Sequence, residues 1–389
     1  MAARTAHVIG AGIAGLATAL ALAGQGWTVR VFERNPEPRT TGGGIGITPN
    51  GMLALNAIGV GDAVRARSVI QCEGGVRAPG GRWIARTGLR FVEQRYGESI
   101  RALLRQDLTR ALTDALPPGT VRYGAPVRLA GTGDADQPAT IRLAGTELES
   151  DLVVAADGIR SAVRGALHPA HPGLRDTGSV SWRCVVPADG LAVVAAETWG
   201  SGLRLSILPL PGGRVHFSAL ARMTGRRAAV GTGGGPSALF RRWHDPIPRL
   251  LERSAGEVLF FDRIEELPRP VGSFFAGRAV LVGDAAHPMT PNIGLANLAL
   301  EDAVELAHAI GPARSWPRLR AGLTDYDTSR RSRTSRLSRT SRWMGRFAEL
   351  SSPAAVAARN SGVWLGGFLP EIVSRRSMDA MVGWTPPGD

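Results

Sequence analysis

The chain has 389 residues, which is enough for two domains or for one large domain with insertions and excludes a single small module. Hydrophobic residues make up 44% of the sequence and charged residues 20%, so the composition supports a buried core rather than a disordered chain. All 46 residues counted as lysine or arginine are arginine. Chemistry that needs a lysine amine, such as Schiff-base catalysis or a Walker phosphate loop, is therefore excluded.

The net charge of +13 favours anionic partners without identifying them. Nucleic acid, a membrane surface, and acidic substrates or cofactors held by arginine all remain open at this point. Cys72 and Cys184 are the two cysteines and lie far apart in the sequence, so neither a disulfide framework nor a cysteine zinc site is predicted. This cysteine usage favours a reducing, cytoplasmic location.

Residues 6–29 carry no charged side chain and resemble a secretory signal in that respect. Their glycines, Gly10, Gly12 and Gly15, have no use in a signal peptide and form a GxGxxG pattern between two apolar runs. The order of strand, glycine turn, helix and strand instead predicts a βαβ unit that opens a parallel sheet. No other window offers the roughly 18 uncharged apolar residues of a membrane span, so no membrane partner is expected.

The next segments are predicted from their turn residues and spacing. Residues 40–50 are too rich in glycine for regular structure and should form a loop, followed by a short helix over 51–58. Residues 69–96 predict short strands and turns, and residues 100–116 have the apolar spacing of a helix that ends at Pro117.

Two later apolar runs end in an acid next to a glycine, at Asp157-Gly158 and at Gly283-Asp284. Between them, residues 179–223 alternate in polarity and predict an antiparallel sheet in a separate domain. The predicted fold class is therefore α/β, with a parallel sheet, a second domain built on a mixed or antiparallel sheet, and carboxyl-terminal helices.

An arginine series with a spacing of three lies in the predicted carboxyl-terminal helix. Steps of three residues drift by about 60° each around a helix, so the series forms no narrow stripe that could follow a phosphate backbone. We therefore expect a solvated helix and no nucleic-acid partner. The series consists of Arg330, Arg333, Arg336, Arg339 and Arg342.

The glycine pattern predicts a dinucleotide site. In a βαβ unit the first glycine makes the tight turn, the second lets a pyrophosphate approach the backbone, and the third allows close helix packing. The helix amino terminus then supplies positive potential for the phosphates. Glu33 ends the second strand, where its carboxylate can accept both ribose hydroxyls. The predicted residues are Gly10, Gly12, Ile13, Ala14, Gly15 and Glu33, and the pattern alone leaves a nicotinamide or a flavin dinucleotide open.

Asp157 and Asp284 bear on that choice because each follows a predicted buried strand. In a parallel sheet they would meet the glycine loop at one edge, although each acid could instead cap the helix that follows it.

At this point the chain resembles the group A flavoprotein monooxygenases, the aromatic-hydroxylase family with a single Rossmann domain for FAD. The resemblance covers roughly residues 4–345 and rests on VIGAGIAGLATAL with FERN, LLRQDLTRAL, VVAADGIRSAVR, and RAVLVGDAAHPMTPNIG followed by ALEDA. It implies an FAD-binding domain formed by residues 1–70, 97–170 and 264–325. Residues 71–96 and 171–263 would form the substrate domain, and residues 326–389 a carboxyl-terminal helical region.

The resemblance also implies roles for individual residues. Glu33 would bind the adenosine ribose, Arg105 would reach the pyrophosphate and ribityl region, and Asp284 would hydrogen-bond a ribityl hydroxyl. Asp157 and Gly158 would support both FAD and the passage of NAD(P)H. Others expected near the cofactor are Arg34, Gly44, Ile45, Gly283, Pro291, Gly294, Leu295 and Ala296.

One motif departs from the family pattern. The family usually has GxGxN ahead of the ALEDA helix, whereas this chain reads Gly294, Leu295, Ala296 and Asn297 and lacks the second glycine. This loop presents amides to the flavin ring, so the departure bears on oxygenation more than on FAD binding.

By the same resemblance, NAD(P)H reduces FAD, dioxygen adds at the flavin C4a carbon, and the resulting hydroperoxide hydroxylates or epoxidises an aromatic or polycyclic molecule. No protein nucleophile, metal cluster or acid–base pair emerges, so the flavin would carry the chemistry. A second GxGxxG is absent, and NAD(P)H would bind only transiently. Two alternatives are an FAD enzyme that does not oxygenate, either a dehydrogenase or a cyclase, and a basic binding protein without enzymatic activity.

The substrate should bind on the sheet predicted for residues 179–223, and dioxygen would be the co-substrate. The protein is expected to be a monomer or a homodimer. The candidate substrate-binding residues are Trp182, Arg183, Trp199, Arg204, Leu205, Phe217 and Met223, although alternation alone also places every second apolar residue in a core. His287 is interpreted as a packed loop residue rather than a catalytic base.

Overall fold

The computed structural model describes residues 4–38, 42–223, 235–366 and 378–388. The strands, in chain order, are β1 (Thr5–Ile9), β2 (Thr28–Phe32), β3 (Gly44–Ile47), β4 (Val69–Ile70), β5 (Glu73–Arg77), β6 (Trp83–Gly88), β7 (Arg101–Leu104), β8 (Val121–Arg122), β9 (Val127–Gly131), β10 (Ala139–Leu143), β11 (Thr146–Ser150), β12 (Leu152–Ala155), β13 (Arg175–Pro187), β14 (Ala196–Trp199), β15 (Leu203–Leu210), β16 (Arg214–Arg222), β17 (Phe260–Glu266), β18 (Phe275–Ala276) and β19 (Ala279–Leu281).

The helices, in the same order, are α1 (Ile13–Gly24), α2 (Pro49–Ala57), α3 (Gly61–Arg65), α4 (Arg90–Tyr96), α5 (Arg105–Asp114), α6 (Ala162–Leu167), α7 (Ser237–Phe240), α8 (Ile247–Arg253), α9 (Leu295–Ile310), α10 (Trp316–Ala348) and α11 (Pro353–Gly366). Within the described residues, none of them has both the length and the apolar character that crossing a bilayer requires.

The amino-terminal βαβ unit joins a six-stranded sheet with the order β18-β19-β12-β1-β2-β8. Strands β12 and β19 are apolar and buried at every position, which suits parallel strands covered on both faces. Ile9 pairs with Ala155, and Ala155 pairs with Leu281, all in parallel. The carboxyl ends of these three strands therefore meet at one edge of the sheet. This confirms the α/β fold class and the convergence of strand ends predicted from the sequence.

A second sheet contains the alternating segment. Its seven strands have the order β17-β13-β16-β15-β14-β5-β6, so residues 73–88 join the same sheet as residues 175–222. In β13, Val180, Trp182 and Cys184 belong to an apolar core that also contains Phe240 of α7. Period-two alternation turns the residues between them to the opposite, more polar face.

Three elements differ from their sequence prediction, and one of them is Arg90–Tyr96, which was expected to form strands or turns and instead forms helix α4. Gly44–Ile47, in the segment expected to be irregular, forms β3, and residues 101–104, expected to be helical, form β7. Helix α5 begins only at Arg105. The two strands pair in antiparallel register, Gly44 with Leu104 and Ile47 with Arg101. Each strand is stabilised by a partner that is distant in sequence, which local spacing cannot reveal. Residues 40 and 41 lie outside the described ranges.

The carboxyl-terminal helix also differs from its prediction. Helix α10 runs without a break across residue 325, where the sequence placed a domain boundary. The expectation that its arginines are solvated is wrong for Arg330, whose side chain has 0% exposure, and Arg333 retains only 15%. The same drift that spreads the arginines around the helix turns these two toward the protein interior.

Candidate functional site

The three glycines of the first turn have different surroundings. Gly10 has φ +105°, and a Cβ there would lie 2.5 Å from the oxygen of Ala156. A Cβ on Gly15 would lie 1.9 Å from the oxygen of Gly10. By contrast, no atom lies within 4 Å of the position a Cβ would take on Gly12. The first and third glycines are thus required by protein packing, whereas the second borders open space that a ligand can approach.

Helix α1 begins at this open space. Gly12 is its N-cap, no side chain caps the helix, and no acid lies in its first turn. The first amides of a helix have no intrahelical acceptor and carry the positive end of the helix dipole. The first turn, Ile13 to Gly15, therefore fits an anionic group such as a pyrophosphate.

Glu33 is held beside the glycine turn. Its Oε2 accepts a hydrogen bond from the Ala11 N–H at 2.9 Å, and its Oε1 accepts hydrogen bonds from the Asn35 backbone N–H at 2.9 Å and side-chain amide at 2.7 Å. These bonds fix the carboxylate where β2 ends next to the start of α1. The next residue, Arg34, is exposed.

Asp157 lies at the end of β12 and caps a helix, as its alternative interpretation proposed. Its Oδ2 accepts a hydrogen bond from the Ala162 N–H at 2.8 Å, at the start of α6. Its Oδ1 is buried and has no protein partner among the described residues. The adjacent Gly158 has φ +81°, which favours glycine because it lies in the left-handed region. One carboxylate oxygen is thus structural, and the other has no described hydrogen-bond partner.

Asp284 follows β19 in a short turn. None of the described hydrogen bonds or ion pairs involves its carboxylate. Burial raises the pKa of this carboxyl group, while the positive charges of His287, Arg105 and Arg164 act in the opposite direction. Arg105, predicted from a separate motif, is therefore close enough to Asp284 to influence it electrostatically.

Arg164 holds this turn from the α6 side, although the sequence analysis gave it no role. Its guanidinium donates to the backbone oxygens of Asp284 at 3.1 Å and Ala285 at 3.0 Å. Arg164 belongs to the VVAADGIRSAVR motif, so the motif contained the residue but gave no sign of its contacts. The bonds link the turn after β12 to the turn after β19.

The loop that lacks the second glycine of the family pattern also connects two predicted parts of the site. Gly294 is the N-cap of α9, and Leu295 and Ala296 form its first turn. The Asn297 side chain accepts a hydrogen bond from the Thr48 N–H at 3.2 Å and donates one to the Gly46 oxygen at 3.2 Å. Strand β3, which contains Gly44 and Ile45, is thereby attached to the start of α9.

The seven-stranded sheet contacts the same strand through His216. Added Cβ atoms on Gly43 and Gly44 would lie 2.8 and 2.7 Å from atoms of this histidine. Burial and the nearby charge of Arg183 lower the pKa of His216 to about 4, so the ring is neutral at pH 7. Its Nδ1 donates to the Cys184 oxygen at 3.1 Å.

A cavity of about 240 Å³ lies between the seven-stranded sheet, helix α10 and the loop ahead of α9. Its lining residues are Arg175, Asp176, Thr177, Ser179, Arg204, Leu220, Arg222, Ile264, Glu266, Thr290, Pro291, Asn292, Arg342, Gly345, Arg346 and Glu349. Pro291, predicted to lie on the loop beside the flavin, connects this cavity to the cofactor residues.

Two buried polar atoms of the cavity lining lack a protein hydrogen bond among the described residues. They are Nε of Arg204, a donor, and Oδ1 of Asn292, an acceptor. Arg204 is 4% exposed, and Glu197, the one acid with which it forms an ion pair in the described chain, lies 3.8 Å away. Buried polar groups are normally hydrogen-bonded, so each of these atoms needs a partner such as water or a bound molecule.

Only Arg204 of the candidate substrate residues lines this cavity. Trp182, Leu205 and Phe217 lie in the apolar core on the other face of the sheet, and Met223 packs against that core. The substrate role predicted for these four is not supported, because period-two alternation turns them away. Two others have protein partners: Trp199 packs against Phe347 and Arg183 pairs with Asp262.

Together, the parallel sheet and its converging strand ends define a dinucleotide-binding protein that also contains a second, seven-stranded sheet. The family model described as "FAD binding domain" matches residues 3–206 and 255–341. The chain belongs to this family. Its relatives are FAD monooxygenases of the aromatic-hydroxylase type.

Relatives match over most of their length. The aurachin C monooxygenase/isomerase of Stigmatella aurantiaca is 33% identical over 97% of this chain and 96% of its own. The 3-amino-4-hydroxybenzoate 2-monooxygenase of Streptomyces cremeus is 34% identical over 88% of this chain and 86% of its own. The crystal structure of Klebsiella pneumoniae HpxO with FAD and uric acid has a TM-score of 0.85 at 26% identity, covering 97% of this chain and 96% of that one.

Proposed function

We propose that the chain is an FAD-dependent monooxygenase that uses NAD(P)H and dioxygen to transfer one oxygen atom to an aromatic ring. When bound, FAD supplies the redox chemistry. The chain would hold it with the open turn at Gly12 and the first turn of α1 around the pyrophosphate. Glu33 would bind the ribose, and Asp284 and Arg105 the ribityl region. The open space at Gly12 supports this fit, as does the buried Asp284 carboxylate, which takes part in no described hydrogen bond and lies near Arg105.

The cavity beside the Pro291 loop is the proposed substrate site, and residues 71–96 and 171–263 the proposed substrate domain. One observation supports the proposed substrate class: two polar atoms of the lining residues, the Arg204 Nε–H and the Asn292 Oδ1, have no described hydrogen-bond partner. A ring with an oxygen acceptor and an N–H or O–H donor would satisfy both atoms. Five arginines against three carboxylates in the lining favour an oxygen with partial or full negative charge.

The names of relatives fit this substrate class. They include 3-amino-4-hydroxybenzoate 2-monooxygenase, 2-heptyl-3-hydroxy-4(1H)-quinolone synthase and FAD-dependent urate hydroxylase. Each compound in these names is an aromatic or heteroaromatic ring system with oxygen substituents and with nitrogen either in the ring or attached to it. We propose a planar substrate of this kind for the present chain.

The test is oxygen transfer by the purified protein. NAD(P)H oxidation is followed with a panel of aminohydroxybenzoates, 4-quinolones and purines. The masses of products formed under ¹⁸O-labelled dioxygen are then measured by mass spectrometry. The proposal expects substrate-stimulated NAD(P)H oxidation and one labelled oxygen atom per product. A product without label would instead support the dehydrogenase or cyclase alternative, and a protein unable to bind FAD would exclude both.

We also propose a cytoplasmic location, since Cys72 and Cys184 are unpaired thiols. We propose that the protein is a monomer or a homodimer. Its proposed binding partners are a small aromatic molecule and dioxygen.

A further inference from the structure

A buried acid lies behind the turn that contains Asp284. The Asp302 side chain has 0% exposure and three charged or polar partners. Its Oδ2 accepts hydrogen bonds from the Gly283 N–H at 2.8 Å and from Nε2 of His287 at 2.6 Å. Its Oδ1 accepts one from Nε of Arg330 at 2.7 Å. Asp302 thus binds both ends of the turn from Gly283 to His287 and anchors them to helix α10.

The turn is restrained on its other sides as well. Arg164 donates to the backbone oxygens of Asp284 and Ala285. Gly283 has φ +57°, and an added Cβ would lie 2.8 Å from the Cβ of Ala14 in helix α1. The backbone of the turn is therefore fixed from three directions, and the Asp284 carboxylate is the group left without a described hydrogen bond. The direction of that carboxylate follows from the backbone that carries it.

Asp302 is ionised in this setting. Burial alone would raise the pKa of its carboxyl group, but the charges of His287 and Arg330 and their hydrogen bonds hold it well below the usual range. The neighbouring Glu301 pairs with Arg330 and Arg333, each at 2.7 Å. Two buried carboxylates thus face two arginines.

We propose that Asp302 is a positioning residue for FAD, which fixes the Gly283–His287 turn so that the Asp284 carboxylate points at the cofactor. Asp302 has no exposed side-chain surface and cannot touch the cofactor, so its effect on FAD must pass through Asp284 and the turn. This inference rests on the proposed function, because it assumes the FAD site described above.

A thermodynamic double-mutant cycle tests this coupling without any activity assay. FAD affinity is measured by flavin fluorescence titration of the apoproteins of the wild type, Asp302→Asn, Asp284→Ala and the double variant. Asp302→Asn keeps the size of the side chain but places an amide N–H where the acid accepted hydrogen bonds on both oxygens. We expect it to weaken FAD binding about tenfold in the wild type. In the Asp284→Ala background, the same change should weaken binding by less than about twofold.

Glu301→Gln is the matched control, since it alters an equally buried acid that pairs with Arg330 but does not contact the turn. It should lower the unfolding temperature of the apoprotein without coupling to Asp284. If Asp302→Asn does not fold, His287→Leu, which removes one of the two contacts between the turn and Asp302, takes its place in the cycle. Losses that add in both backgrounds would overturn the positioning role while leaving FAD binding intact. A wild-type apoprotein that binds no FAD would overturn the proposed function and this inference with it.

Discussion

Gly12 and Gly15 lie in one turn, yet an added methyl group has different consequences at each. At Gly12 the methyl enters open space, so Gly12→Ala should change the free energy of unfolding of the apoprotein by less than about 1 kcal/mol. It should weaken FAD binding about tenfold, since it occupies the pyrophosphate approach. At Gly15 the methyl meets a backbone oxygen at 1.9 Å, and Gly15→Ala should destabilise the apoprotein by about 2 kcal/mol or more.

Urea unfolding of the two apoproteins and FAD titration separate these effects. The assignment of Gly12 to the pyrophosphate would be wrong if Gly12→Ala bound FAD as tightly as the wild type.

Arg204 offers a second prediction at the scale of one residue. Arg204 lines the cavity and its buried Nε–H has no described partner, and a hydrogen bond that involves a charged group contributes about 1.5–3 kcal/mol. Arg204→Met should therefore raise the substrate KM about tenfold or more, with unchanged FAD content. Steady-state kinetics and the flavin-to-protein absorbance ratio measure both quantities.

Arg183→Met is the control for Arg204→Met. Arg183 lies in the same seven-stranded sheet but pairs with Asp262 and does not line the cavity. Equal KM values for wild type and Arg183→Met are expected. A similar rise in both variants would point to a general loss of positive charge instead of a contact in the cavity.

At the scale of elements, the sequence predicted those whose pattern is local. The βαβ start combines apolar runs, a glycine turn and an acid within about 30 residues, which is the size of one such unit. Strands β3 and β7 were not predicted, because a glycine-rich strand and the short run Arg101–Leu104 are each stabilised by the other. The same limit applies to Arg330, whose burial depends on Glu301 and Asp302 of helix α9.

The contact between His216 of strand β16 and strand β3 leads to a prediction about how stability depends on pH. His216 fills the space beside Gly43 and Gly44, and its pKa is lowered from 6.5 to about 4 in the folded state. Between these values the unfolded chain binds more protons at this site, so acidification favours unfolding. We expect His216 to account for a loss of about 2 kcal/mol in the free energy of unfolding between pH 7.5 and 5. His216→Gln should remove that part of the loss.

Urea unfolding at several pH values measures the effect. The acid dependence should not vanish in His216→Gln, since burial and Arg30 also lower the pKa of His7 to about 4. His308→Gln, which replaces an exposed histidine outside this contact, controls for the loss of a histidine as such. An identical pH profile for wild type and His216→Gln would show that the ring is not held neutral at this contact.

At the scale of the whole molecule, the motifs predicted more of the proposed cofactor site than of the proposed substrate site. Strand ends at Gly10, Asp157 and Asp284 could be placed together because parallel strands impose a common edge. The cavity has no comparable rule. Arg204, Asn292 and Arg342 come from a sheet, a loop and a helix, and they meet only because these elements pack together. Alternation left open which face Trp182 and Phe217 occupy, since it gives the period of a strand and not which face is the core, and both lie in the core.

A cofactor that contacts three distant segments should stabilise them as one unit, which is a prediction about the entire fold. FAD at about 100 times its Kd should add roughly 2.7 kcal/mol to the free energy of unfolding, if it binds only the folded state. Hydrogen exchange should then slow together at residues 10–16, 157–163 and 283–297. The hairpin strands β10 and β11, which belong to a separate three-stranded sheet, provide an internal reference. Their protection should rise only where exchange requires global unfolding. Slower exchange confined to residues 10–16 would mean that the cofactor is held by the glycine turn alone and that the other two strand ends take no part.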